Sequence, residues 1–165
     1  MKHSFTFLVI GLLITLIYFT MLSNDLGQAP DISVKSTHGE TFNLNHPKKP
    51  VLVTFWATSC TRCIKDMAEL AKMKHALGDR FELLAISMQG DLSEHVTQFI
   101  KRHHYPFLFI MDHEGTLAKA FDNTLIPPTH FLIAPNGDIV YHTVEKPNIT
   151  QLAKHIKQSN PNYDR

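Results

Sequence analysis

Only two cysteines occur in this 165-residue chain, and they stand together as Cys60-Thr61-Arg62-Cys63. Two thiols at that spacing can clip a loop, supply half of a metal site, or cycle between dithiol and disulfide. A clip around so short a loop contributes only about 2 kcal/mol on the chain-entropy view, against nearly 5 for a loop of roughly 100 residues. That is a poor use of the only cysteine pair. Zinc needs two further ligands, yet there is no second cysteine pair and no two histidines at H-x3–5-H spacing. Copper held by both thiols and one of the eleven histidines stays as an alternative, in a binding module rather than an enzyme. The leading expectation is redox exchange, with no metal and no cofactor beyond a reversible Cys60–Cys63 disulfide. Exchange proceeds by thiolate attack on a disulfide sulfur.

The neighbouring residues must position this pair. Upstream, Val51 to Ala57 (VLVTFWA) is an apolar, β-branched and aromatic run after Pro50, as in a strand buried on both faces. Downstream, a helix is expected from about Thr61 to Leu77, with Ile64, Met67, Ala68 and Ala71 as its inner face and Gly78 as its C-cap glycine. The pair therefore falls at a strand-to-helix junction. A helix N-terminus offers unpaired N–H groups and the positive end of the dipole, and both favour thiolate over thiol. Cys60, at or before the first turn, gains most and is expected to be the nucleophile. Cys63, one turn deeper, is expected to resolve the mixed disulfide.

Further elements follow from periodicity. Ile32-Ser33-Val34 and Thr41 to Leu44 flank a turn around Gly39 and read as a hairpin. Phe81–Ser87 and Phe107–Met111 read as buried strands, and Leu92, Val96, Phe99 and Ile100 as the stripe of a helix between them. Leu117–Phe121 reads as a short helical turn. Thr129–Ala134 and Asp138–Val144 flank the turn Pro135-Asn136-Gly137, and Ile149, Leu152, Ala153 and Ile156 mark a last helix. The order, hairpin, βαβαβ, then ββα, implies an α/β fold with a mixed central sheet flanked by helices.

Residues 5–22 (FTFLVIGLLITLIYFTML) carry no charge. As a helix they rise about 27 Å, enough to span a bilayer core. With Lys2 ahead of them, the positive-inside rule puts residues 1–4 in the cytoplasm. An uncleaved anchor is favoured over a cleaved signal, because no A-x-A-like site follows. Residues 23–30 read as a linker, 31–158 as the folded domain and 159–165 as a polar tail. Net charge is +1 with histidines neutral, which lacks the basic footprint of a nucleic-acid binder.

The run Val51 to Cys63 (VLVTFWATSCTRC), with Asp66-Met67 and Glu69-Leu70 after it, resembles the TlpA/ResA-like membrane-anchored thioredoxin-like proteins. So does Pro128-Thr129-His130-Phe131-Leu132-Ile133 followed by Asn136-Gly137. The resemblance covers about residues 29–157, including the hairpin and the central insertion with the Leu92–Ile100 helix. It implies a thioredoxin-like fold preceded by one transmembrane helix, and a cis bond before Pro128, beside the dithiol. It implies a site wall of Trp56, Thr61, Arg62, Pro127, Pro128 and Thr129. It also implies a disulfide reductase of partner proteins, recharged by a membrane electron donor, with a monomeric domain outside the bacterial inner membrane.

Departures from the family pattern fall around the pair. Ser59 replaces a usual Trp, Arg62 a usual Pro or His, and the kinking proline of the helix is absent near Ala68. Pro127 keeps its C=O but has no N–H to offer a bound strand. Thr54 occupies the place of the buried acid of plain thioredoxin, so no proton acceptor for Cys63 is evident. His130 replaces a usual Thr; two residues past Pro128, it faces either the dithiol layer or the opposite side, and plain packing is the favoured reading. Arg62 is expected either to be solvated or to stabilise the Cys60 thiolate, making the pair more oxidising than thioredoxin. A peroxidase is disfavoured: the signature P-x-x-x-[TS]-x-x-C needs Pro at Val53 and Thr or Ser at Ala57.

Overall fold

The computed structural model describes residues 11, 13–15, 26–37 and 39–164. The expected span 5–22 lies outside the described residues except for Gly11 and residues 13–15, which are helical. Among the described residues, no helix is long and apolar enough to cross a membrane.

The strands are β1 (Ser33–Lys35), β2 (Thr41–Asn43), β3 (Val51–Trp56), β4 (Glu82–Ser87), β5 (Leu108–Met111), β6 (Thr129–Ile133) and β7 (Ile139–Thr143). The α-helices are α1 (Thr61–Leu77), α2 (Ser93–His103), α3 (Thr116–Ala120) and α4 (Ile149–Ser159), and a 3-10 turn, Gly78–Arg80, follows α1. The main sheet has the order β5-β4-β3-β6-β7. β3, β4 and β5 are parallel, while β6 and β7 run antiparallel. β1 and β2 form the expected hairpin. Every residue of β3 is buried, as its unbroken apolar run requires of a central strand.

Side-chain alternation splits the core into two layers. Leu52 and Trp56 of β3 and Leu132 of β6 pack with Cys63, Met67 and Leu70 of α1, Phe99 of α2, and Leu152 and Ile156 of α4. Val51, Val53, Phe55, Phe131 and Ile133 face the other way, onto Leu117 and Ala118 of α3 and onto Val34 and Leu44 around the hairpin.

Three details depart from expectation. The inner face of α1 is Cys63, Asp66, Met67, Leu70, Ala71, Met73 and Lys74, whereas Ile64 and Ala68 are only half-buried. The true stripe is rotated because it includes charged residues that an apolar pattern passes over. The linker 23–30 is docked at its end: the Ala29 N–H donates to Gly137 O, the Ile139 N–H donates to Gly27 O, and Gln28 pairs with Asp138. The tail is also tied down, since Arg80 Nε donates to Tyr163 O and Asn160 Nδ2 donates to Arg80 O.

Lys74 shows how a buried charge is tolerated. Its ammonium donates to Phe81 O at 2.7 Å and Gly78 O at 3.1 Å, and pairs with Glu82 at 3.3 Å. Lys74→Ala should lower stability by about 1–3 kcal/mol, because it strands the buried Phe81 carbonyl, although Glu82 keeps its pair with Lys49. Lys72→Ala, which removes an exposed pair with Glu69, should stay within about 0.5 kcal/mol. Urea midpoints for the two variants test the contrast.

Candidate active site

β3 ends at Trp56, and a tight turn closed by the Cys60 N–H on Ala57 O leads into α1. Cys60 is the N-cap residue of α1, in extended conformation (φ −90°, ψ 96°). Its Sγ accepts the Cys63 backbone N–H at 3.1 Å, so sulfur takes the part that a serine or aspartate oxygen plays at most helix starts. No acidic residue in the first turn competes with the sulfur for the positive end of the dipole. Cys60 and Cys63 are joined as a disulfide, with Cα atoms 5.3 Å apart. The two sulfurs are unequal: Cys60 is half-buried, whereas Cys63 is only 1% exposed.

Across from the pair, the Pro127–Pro128 bond is cis, the isomer implied by the family resemblance. Pro127 O lies 3.9 Å from Cys60 Sγ. The bend is fastened by Thr129, whose hydroxyl donates to Ile126 O at 2.6 Å. Pro128 and Thr129 are buried, Pro127 is half-buried, and Leu125 and Ile126 stand out at 80% and 70% exposure. The loop before Cys60 is braced from the insertion, because Asp91 accepts both the N–H and the hydroxyl of Thr58.

The other expected wall residues divide by depth. Thr61 and Arg62 are exposed beside the pair. Trp56 is fully buried against Phe99 and Phe109, with ring centroids 4.6 and 5.9 Å away. It supports the site from beneath rather than lining its surface. A cleft of about 350 Å³ opens beside Ser59, bordered by His95, Arg102 and His103 of α2. Among the described residues, no group of three or more His, Cys, Asp or Glu is placed to hold a metal ion.

One buried residue near the pair, Asp66, escapes sequence reasoning, and for a second, His130, the sequence leaves the face it takes open. Asp66, one turn past Cys63, is 4% exposed, and its Oδ2 has no hydrogen-bond partner. Burial raises its pKa above 3.8, opposed by Lys146 and Arg62. It is a buried acid near Cys63, although Thr54 has replaced the one on β3. The signal was present: the i, i+3 spacing from Cys63 puts Asp66 on the same helix face. His130 is 0% exposed with neither ring nitrogen paired. Burial, reinforced by His142, depresses its pKa from 6.5 to about 4.

The sign of the His130 effect is definite. An unfolded chain protonates His130 below pH 6.5, and the folded chain does so only below about 4. Stability from the neutral ring is therefore full above 6.5 and is lost as pH falls toward 4, by up to about 3 kcal/mol. Asp66, shifted upward, works in the opposite sense. Denaturant titrations between pH 4 and 7 should show a smaller loss on acidification for His130→Thr than for the unsubstituted protein.

Comparison with known proteins agrees with this geometry. The Redoxin family model matches residues 25–157. The thioredoxin-like protein YneN of Bacillus subtilis is 31% identical over 130 residues, 75% of each chain. The thiol-disulfide oxidoreductase ResA of Bacillus subtilis is 31% identical over 114 residues, 68% of this chain and 63% of that one. The solution structure of a thioredoxin-type protein from Neisseria meningitidis superimposes with a TM-score of 0.72 at 29% identity, covering 82% of this chain and 91% of that one. Together with a Cys-x-x-Cys pair at a helix N-terminus facing a cis-proline bend, these matches settle the family: the chain belongs to the Redoxin family, among its TlpA/ResA-like thioredoxin-like members.

Proposed function

We infer that this chain is a thiol–disulfide oxidoreductase that exchanges disulfides with partner proteins through Cys60 and Cys63. The observation that carries the reading is the inequality of the two sulfurs at one helix N-terminus. Cys60 is reachable and held by a backbone N–H, and Cys63 is sealed beneath it. A stabilised, accessible thiolate is a nucleophile, and a buried thiol one turn away is a resolver. In the reduced protein the Cys60 thiolate attacks a partner disulfide, and Cys63 then displaces the partner from Cys60. Pro127 O stands beside the reacting sulfur as an acceptor for an incoming strand, while the proline nitrogen offers no donor.

The favoured direction is reduction of partner disulfides, as in the TlpA/ResA-like proteins, with electrons supplied by a membrane donor. Residues 5–22 act as the anchor, holding a monomeric domain on the extracytoplasmic side of the bacterial inner membrane. The dithiol is the whole redox apparatus in this reading, with no metal, cofactor or nucleic acid engaged.

Trapping tests the roles. Cys63→Ser should accumulate mixed disulfides between Cys60 and partner proteins, identifiable by mass spectrometry, and Cys60→Ser should accumulate few. Equal trapping by both variants would overturn the assignment of nucleophile and resolver. Equilibration with a glutathione buffer tests the influence of Arg62. The pair should be more oxidising than thioredoxin, at about −270 mV, and Arg62→Gln should move it back toward that value.

A further inference from the structure

His130 is an unusual core residue. It lies on β6 directly opposite Thr54 of β3 and Thr143 of β7. Alternation fixes its direction: Leu132, two residues on, and Leu52 and Trp56 around Thr54 all belong to the layer containing Cys63 and Met67. His130 therefore points into the layer that holds the dithiol helix. It sits two residues past Pro128, about 6–7 Å down the strand. Asp66 sits about 4.5 Å down α1 from Cys63. Since α1 runs back along β3, the two lie at similar depth beneath the pair. Asp66 also senses two cations, Lys146 just beyond β7 and Arg62 on its own helix. Of the five buried side-chain N and O atoms without a partner among the described residues, three belong to Asp66 and His130. A leucine would fill the place of His130 without stranding two ring nitrogens.

We propose that His130 is the buried base that takes the thiol proton of Cys63 when Cys63 resolves the mixed disulfide. The proposal rests on the dithiol reading given above. The Cys60 thiolate first attacks a partner disulfide: the Cys60–partner S–S bond forms, and one partner thiolate leaves and takes a proton from water. Cys63 then gives its S–H proton to the free ring nitrogen of neutral His130. The Cys63 thiolate attacks Cys60 Sγ, the Cys60–Cys63 bond forms, and the second partner thiolate leaves. That thiolate is protonated at the expense of the His130 imidazolium, through Asp66 or water. Two electrons pass from the dithiol to the partner, which leaves as a dithiol with two protons, one from Cys63 and one from water. Burial keeps His130 uncharged in the disulfide form at neutral pH, so a ring lone pair is available there. The thiolate formed beside it offsets the cost of charging the ring. The ionisable groups on the elements packed around His130 are Cys63 and Asp66 of α1, Tyr141 and His142 of β7, and His155 of α4, with Arg62 and Lys146 at the rim.

The test is stopped-flow reaction of the reduced full chain with an aromatic disulfide reagent, which reports Cys60 attack and Cys63 resolution as successive thiol releases. His130→Thr and His130→Gln should slow the second release by about 100-fold at pH 7 and move its pH midpoint upward. The first release should be unchanged. A second release with unaltered rate and pH midpoint in both folded His130 variants would overturn the proposal. Should those variants fail to fold, ring-labelled histidine spectra of the unsubstituted protein decide. A His130 titration that differs between disulfide and dithiol forms supports the proposal, and identical titrations overturn it. Failure of the dithiol reading itself has another signature, the absence of any thiol release from the unsubstituted protein.

Discussion

β3 is paired on both edges and covered on both faces, so its register governs where the chemistry can sit. Its parallel partner β4 and antiparallel partner β6 are aligned over nearly its whole length. That alignment fixes Trp56 near the start of β6, and so the turn into α1 opposite the Pro127–Pro128 bend. Sliding β6 by one residue would exchange its two faces. His130 and Leu132 would then turn away from α1, and the bend would leave the sulfurs. The site is thus a consequence of strand register, held by the large apolar side chains that make register costly to change.

On that frame the two cysteines are differentiated by small means. One turn of helix puts Cys63 into the core and leaves Cys60 at the rim. One backbone N–H is directed at Cys60 Sγ, and one carboxylate from the insertion, Asp91, steadies the turn that presents it. Each contact is modest alone. Their shared effect is to give chemically identical side chains unequal exposure and unequal contacts, which a symmetric exposed pair would lack.

Much of this could be read from residue types. The run VLVTFWA forces a doubly buried strand, Gly78 ends α1 at φ 57° where a Cβ would be strained, and Asn136-Gly137 turns β6 into β7. Those signals are local. What escaped was non-local. Asp66 was passed over because an acid breaks an apolar stripe, and only the packed neighbours reveal that the stripe admits it. His130 was read as packing because the face to which a strand residue points depends on register, and register needs the partner strand. The docking of residues 27–29 was hidden because its partners lie more than 100 residues away.

That docking bears on how the chain folds. Gln28 meets Asp138 across 110 residues of sequence, while the Thr37 N–H reaches Phe109 O on the opposite edge strand. Residues 27–37 are a strap running from one rim of the sheet to the other, with Ala29 and Val34 pressed into the layer it crosses. The β7 rim cannot be sealed until β7 has been made and placed, so its loop-closure entropy, that of almost the whole domain, is lost late. A chain interrupted before Asp138 would hold an intact Cys60–Cys63 segment on a sheet with a bare edge, ready to pair with another strand. The strap makes completeness of the chain a precondition for a closed, solitary domain.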